Sequence, residues 1–147
     1  MKLSEIQSMW KEDCQIDDTK LDYELIRIPN LHSKYLDLYN DECLQHKKYY
    51  YEKKRLIKWK TVYYAGKMSQ EELEEHGWEP FMYKLVKGSE PKLETYLEGD
   101  SDIIQLSEKL DYIKQKVDFL ESIIKSLNTR GYNLRSAIDF LRFTMGS

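Results

Sequence analysis

IIQLSEKLDYIKQKVDFLESIIKSL, residues 103–127, carries the clearest periodicity in the chain. Apolar residues recur there at alternating separations of three and four, which is the a/d pattern of a helix that packs against another helix. The eight positions are Ile103, Leu106, Leu110, Ile113, Val117, Leu120, Ile124 and Leu127. Because this seam needs helical partners, the stretch predicts a mainly α fold.

The same register continues beyond Leu127, with Gly131 on an a position. Either a short second helix folds back, or one longer helix passes through the glycine. The later seam positions are Leu134, Ile138 and Leu141. A chain of 147 residues offers few other helices to cover this seam, so we expect residues 101–147 to form an oligomerisation region, with Ser101 or Asp102 capping its start. Packing within one chain is the alternative.

Upstream, apolar spacing predicts a short amphipathic helix over Ser4–Lys11 and a long helical series that begins at Leu21. Pro29 interrupts that series, because proline lacks a backbone donor and displaces the preceding residue from helical geometry. We therefore expect a kink or a break there. From Asn30 the helical pattern continues to near Gly66.

Residues 68–108 are acidic, with eleven Asp or Glu against three Lys. Ser69 is a suitable N-cap and Gly77 a suitable stop for a short acidic helix between them. FMYKLVK at 81–87 and KLETYL at 92–97 flank a turn-like GSEP, which predicts a small hairpin.

Composition argues against several functional classes. The N-terminus is too polar for a secretory signal, and no apolar run approaches the roughly 18 residues of a membrane span. We therefore expect an intracellular protein with both cysteines reduced and no membrane association. Three histidines without CxxC or HxxxH spacing give no metal site. The absence of a GxxxxGK[ST] loop and of a catalytic constellation predicts a protein without cofactor or enzymatic activity.

LQHKKYYYEKKRLIKWKTVYYAGK, residues 44–67, concentrates positive charge in a chain whose net charge is −3. Seven Lys and one Arg face Glu52 alone, and tyrosines and a tryptophan stand among them. A mixture of basic and aromatic side chains is typical of proteins that bind single-stranded nucleic acid, since the cations neutralise phosphates while the rings stack on unpaired bases. The segment therefore predicts a region that binds single-stranded nucleic acid over residues 1–100, with a basic helix at 44–67. The alternative is a coiled-coil adaptor whose basic face docks an acidic protein.

Four segments resemble, in order and spacing, the UvsY recombination mediators of T-even phages: IDDTKLDYE (16–24), HSKYL (32–36), LIKWKTVYYAGK (56–67) and TRGYNLRSAIDFLR (129–142). The resemblance implies a non-enzymatic accessory protein in the cytoplasm of an infected bacterium. It would bind single-stranded DNA without sequence preference, contact the phage's RecA-like recombinase (UvsX) and its single-strand DNA-binding protein, and help load the recombinase. It would assemble through C-terminal helices as a hexamer or heptamer.

The family's DNA-binding motif is a basic residue, any residue and a second basic residue, followed by two tyrosines and a glycine. By this resemblance Lys58 and Lys60 contact phosphates, although lysine replaces the expected arginine at 60 and so keeps the charge without the bidentate geometry. The complete set of predicted DNA-binding residues is Lys53, Lys54, Arg55, Lys58, Trp59, Lys60, Tyr63, Tyr64 and Lys67.

Overall fold

The structure is a computed structural model that describes residues 1–81 and 92–146, and all regular secondary structure in those residues is α-helical. The helices are α1 (Leu3–Asp13), α2 (Leu21–Tyr64), α3 (Gln70–His76), α4 (Leu93–Glu98) and α5 (Ser101–Thr144). The predicted mainly α class is confirmed.

Helix α2 begins at Leu21, as predicted, and its 44 residues continue through Pro29 without a break. Ile28 keeps helical geometry, so the expectation that proline would displace it is wrong. Pro29 is exposed, while Leu31 and Tyr35, which follow it, are packed in a hydrophobic core. Tertiary packing thus outweighs the loss of one backbone hydrogen bond.

Helix α5 is also a single helix of 44 residues, which decides between the two alternatives at Gly131. A Cβ added to Gly131 would lie 4.0 Å from Ile28 Cδ1, an ordinary van der Waals distance. The start of α5 differs from the prediction. Asp100 is its cap, because the Ile103 N–H donates to Asp100 Oδ1 at 3.0 Å, whereas Ser101 and Asp102 already belong to the helix.

The short acidic helix is confirmed as α3. Ser69 Oγ accepts from the Glu72 N–H at 3.2 Å, and Gly77 ends the helix with a φ of 70°, a left-handed conformation that favours glycine. The second strand of the predicted hairpin is wrong, because Leu93–Glu98 is helix α4. Its first strand falls almost entirely on residues 82–91, which lie outside the described residues.

The chain divides into two compact units, and α2 and α5 contribute residues to both. The first unit combines residues 1–45 with those from Ile113 onward. Its core consists of Ile6, Leu31, Tyr35, Leu120, Ile123 and Leu127. The second unit is His46–Tyr112, in which Leu73, Ile103 and Leu110 are buried. The predicted division into residues 1–100 and 101–147 concerns function and stays a prediction.

The heptad seam of α5 is packed mostly within the chain. The buried seam residues are Ile103, Leu110, Ile113, Val117, Leu120, Leu127 and Leu134. Helices α1 and α2 supply part of the cover, through Ile6, Leu31 and Tyr35. Leu106, Ile124 and Ile138 are half-buried, and Leu141 is exposed. Most of the seam that we assigned to contacts between copies is therefore already used inside one copy.

Candidate nucleic-acid interface

One face of α2 presents a row of exposed cations. Positions 47, 51, 54, 55 and 58 lie three, four or seven residues apart, so their side chains share one side of the helix. We call Lys47, Tyr51, Lys54, Arg55 and Lys58 the basic stripe; all five residues are exposed. The four cations of the basic stripe form no ion pair with any carboxylate within residues 1–81 and 92–146. The stripe therefore offers uncompensated positive charge to solvent.

Aromatic rings stand beside these cations. Tyr51 is 54% exposed, and neighbouring Tyr50 is 44% exposed. Lys54 Nζ lies 4.8 Å from the centroid of the Tyr50 ring and 5.9 Å from that of Tyr51. Lys58 Nζ lies 5.2 Å from the Trp59 ring. The ammonium groups of the stripe and the exposed rings of Tyr50 and Tyr51 thus lie close together on α2, an arrangement that suits the binding of an unpaired strand.

Lys60 occupies the opposite environment. It is only 5% exposed, and its ammonium lies 3.1 Å from Asp100 Oδ2 and 2.9 Å from Asp102 Oδ2. The same ammonium stands 4.1 Å from the centre of the Trp78 ring. A phosphate-contacting side chain must reach solvent, whereas Lys60 is enclosed and already neutralised. Its position argues against the phosphate-contacting role that the family resemblance implied.

The ionisation of this buried group favours its charged form. Burial by itself lowers the pKa of Lys60, but hydrogen bonds to Asp102 and Asp100 outweigh burial and raise that pKa above its usual value. Burial by itself raises the pKa of Asp100. Hydrogen bonds from Tyr64, the Ile103 N–H and Lys60 outweigh this effect and bring the pKa of Asp100 below its usual value. The Lys60–Asp100 pair therefore stays ionised at neutral pH.

The three predicted aromatic residues are engaged within the chain. Tyr64 donates to Asp100 Oδ2 and stacks on Tyr96 at 5.5 Å between centroids. Tyr63 donates to the Glu79 carbonyl at 2.6 Å. Trp59 meets the His76 ring edge-on at 4.9 Å. These contacts anchor the C-terminal end of α2, so stacking on bases is left to the rings nearer Lys54.

The structure thus separates the nine predicted DNA-binding residues. Lys54, Arg55 and Lys58 lie together on the basic stripe. Lys67 is exposed beyond the end of α2, and Lys53 is half-buried beside the stripe. Our sequence reasoning omitted Lys47 and Tyr51 from the site. Helical spacing contained the missing signal, because these residues precede Lys54 by seven and three positions.

The described part of the chain contains no group of three or more His, Cys, Asp or Glu that could hold a metal ion. None of its helices combines the length and the apolar character needed to cross a membrane.

Comparisons with known proteins agree on one family. The family profile described as "Recombination, repair and ssDNA binding protein UvsY" matches residues 9–147. The recombination protein uvsY of Enterobacteria phage T4 is 25% identical over 146 residues, which cover 99% of each chain. Two crystal structures of the bacteriophage T4 recombination mediator protein UvsY are also 25% identical. The lattice type IV structure aligns with a TM-score of 0.82 over 97% of this chain and 99% of that one, and the lattice type II structure with 0.82 over 99% and 98%. The chain belongs to the UvsY family of recombination, repair and single-stranded DNA-binding proteins.

Proposed function

We propose that this protein is a mediator that loads a RecA-like phage recombinase (UvsX) onto single-stranded DNA covered by the phage single-strand DNA-binding protein. It binds the strand without sequence preference and catalyses no reaction itself. It acts in the cytoplasm of the infected bacterium, where the replicating phage DNA lies. Membership of the UvsY family and the name of the T4 relative, a recombination mediator, support this proposal.

The basic stripe is the observation that carries the proposal. Four cations that form no ion pair with a carboxylate in the described parts of the chain stand on one exposed helix face, with Tyr51 among them. Phosphates are the same in every sequence, and rings stack on any base, so this surface binds strands regardless of sequence. If all four cations contact phosphates, the logarithm of affinity falls with the logarithm of salt by about 0.7 per contact.

The predicted site residues divide by role in this proposal. Lys54, Arg55 and Lys58 contact phosphates together with Lys47, and Lys67 contributes from beyond the helix. Lys53 faces the flank of the stripe. The remaining predicted residues hold α2 in position through the contacts described above. These positioning residues are Trp59, Lys60, Tyr63 and Tyr64.

We also propose that copies assemble through the C-terminal end of α5, as a ring of six or seven. Phe140 and Phe143 are 65% and 80% exposed there, and Leu141 is 44% exposed. Met145, which directly follows the helix, is 79% exposed. Exposure of so much apolar surface to water is unfavourable, and contact with a second copy of the chain would bury it. A ring repeats the basic stripe, and linked weak sites gain about 10² to 10⁴ in avidity.

Assembly provides a route to mediation without ATP. A strand held along repeated stripes adopts a conformation that the ring selects. The single-strand DNA-binding protein then loses affinity for that strand if it prefers another conformation, since binding shifts equilibria by differential affinity. The recombinase gains access to the released DNA.

The test compares two triple variants of equal charge. Lys54→Gln/Arg55→Gln/Lys58→Gln removes three stripe cations, and Lys11→Gln/Lys20→Gln/Lys125→Gln removes three exposed cations elsewhere. Fluorescence anisotropy with a labelled oligo(dT) over a salt series should show weaker binding and a shallower salt dependence for the stripe variant alone. The same variant should fail to stimulate recombinase filament formation on coated DNA. Equal behaviour of the two variants, or no binding by the wild-type oligomer at low salt, would overturn the proposal.

A further inference from the structure

An apolar recess borders the basic stripe in the second unit. It has a volume of about 310 Å³ and is walled by Ile57 of α2, Leu97 of α4 and Ile104 of α5. Ile57 is 36% exposed and Ile104 is 41% exposed, so the walls remain open to solvent. Lys53 and Glu98 also line the recess and supply one positive and one negative group.

The helical register of α2 places this recess next to the phosphate-binding cations. Lys53 and Ile57 line the recess, and each is followed directly by a stripe residue, Lys54 and Lys58. Residues four apart on a helix surface lie about 6 Å from each other, and successive residues point about 100° apart around its axis. A strand held by Lys54 and Lys58 therefore runs along the rim of the recess.

We propose that the recess receives an unpaired base of the bound single strand. The inference rests on the proposed function, because the phosphates of that strand must first lie on the stripe. A base has two apolar faces and a polar edge, and the lining of the recess likewise combines apolar side chains with the charged groups of Lys53 and Glu98. Burying one base there adds a contribution that phosphate contacts alone cannot give.

The two charged groups suit every base. The Lys53 ammonium donates to ring nitrogens or carbonyl oxygens, and the Glu98 carboxylate accepts from N–H groups. Each of the four DNA bases carries at least one acceptor and one N–H donor on its Watson–Crick edge. The recess therefore accepts any base. In a duplex those edges are paired, so it favours unpaired strands.

The test separates base contacts from phosphate contacts. Oligo(dT) is compared with an abasic oligonucleotide of the same length, which has the same backbone charge but no bases. Ile104→Ser removes an apolar wall, and Ile16→Ser is the matched control at an isoleucine that is 43% exposed. Serine and isoleucine have similar helix propensities, so the helix of the first variant is preserved. A second variant, Ser107→Trp, fills the recess from α5.

The wild-type protein should bind oligo(dT) more tightly than the abasic strand. Ile104→Ser and Ser107→Trp should each reduce that ratio by about fivefold or more, while affinity for the abasic strand and its salt dependence stay unchanged. Equal affinity of the wild type for both strands would overturn the inference, and only the phosphate contacts of the stripe cations would remain. A similar reduction of the ratio in Ile16→Ser would also overturn it. Failure of the wild type to bind either strand would instead refute the proposed function.

Discussion

Lys60 and Asp100 form an ion pair that is almost completely withdrawn from solvent. The distance from Lys60 Nζ to Asp100 Oδ2 is 3.1 Å, and the two side chains are 7% and 3% exposed. The pair joins the end of the basic helix α2 to the residue that caps α5. An enclosed lysine of this kind fixes the position of the neighbouring exposed cations, and it has no free ammonium to offer a phosphate.

Replacing Lys60 should therefore damage stability more than phosphate binding. Lys60→Met leaves the buried Asp100 carboxylate without its cationic partner, so we expect the free energy of unfolding to fall by about 3 kcal/mol. The salt dependence of DNA affinity should not change while the protein stays folded. Chemical denaturation and a salt series of anisotropy titrations measure the two quantities.

Lys58→Met is the matched control, because Lys58 is exposed on the stripe. Its stability should change by less than about 0.5 kcal/mol, and its salt slope should become shallower by about 0.7. If Lys60→Met instead kept its stability and lost salt dependence, Lys60 would contact phosphate after all.

Asp100 should contribute stability that disappears in acid. Its folded-state pKa lies below the ordinary 3.8, so its contribution is complete above about pH 3.8 and is lost as pH falls through the folded-state pKa. Asp100→Asn retains a capping side chain and removes the charge. At pH 7 we expect the variant to be about 2 kcal/mol less stable.

Denaturation of both proteins between pH 7 and pH 2 tests this prediction. The difference between them should shrink only at the acidic end of that range. Asp13 also has a lowered pKa, but it is present in both proteins and cancels in the comparison. A difference that stayed constant down to pH 2 would mean that the charge of Asp100 does not contribute.

Tyr51 should bind bases although no recognisable motif includes it. Tyr51→Ala removes an exposed ring from the stripe, and we expect a loss in affinity for oligo(dT) of about fivefold or more. Tyr51→Phe should retain most of the affinity, because stacking needs the ring and not the hydroxyl. Tyr23→Ala is the control, since Tyr23 is 58% exposed in the other unit. Equal losses in the two alanine variants would rule out a specific role for Tyr51.

The sequence identified the basic segment but could not sort its lysines. Charge and aromatic content are local properties, and they were visible in residues 44–67. Which face of α2 is covered depends on the residues that pack against it, and Asp100 lies 40 positions beyond Lys60. The spacing of Lys54 and Lys58 already implied a common face, which could have indicated Lys47 and Tyr51.

The same distinction explains the outcome for the fold. Caps and periodicity are local, so the short helix α3 and the starts of the longer helices were predictable to within a few residues. The fate of Pro29 depended on the packing of Leu31 and Tyr35, which the sequence does not display. The seam of α5 indicated that helices would cover it, but periodicity is the same whether the partner helix belongs to this chain or to another copy.

Assembly should depend on the exposed C-terminal end. Phe140→Ser/Phe143→Ser removes two of the most exposed aromatic residues without altering the buried seam. We expect smaller species in sedimentation equilibrium and a loss of DNA affinity of about tenfold or more, because avidity falls with the number of linked stripes. Ile16→Ser should leave the mass unchanged. Full-size assembly of the double variant would place the contact between copies elsewhere.

Leu120 and Leu141 separate packing within the chain from packing between copies. Both occupy d positions of the same seam, but Leu120 is 0% exposed and Leu141 is 44% exposed. Leu120→Ala should lower the free energy of unfolding by about 2 to 5 kcal/mol, because it leaves a cavity in the core with Ile6 and Tyr35. That loss should not depend on protein concentration.

Leu141→Ala should have a small effect on the stability of dilute protein and a larger one at concentrations where copies assemble. Thermal denaturation over a hundredfold range of concentration distinguishes the two. A concentration-dependent loss in Leu120→Ala would show that the buried part of the seam also participates in assembly.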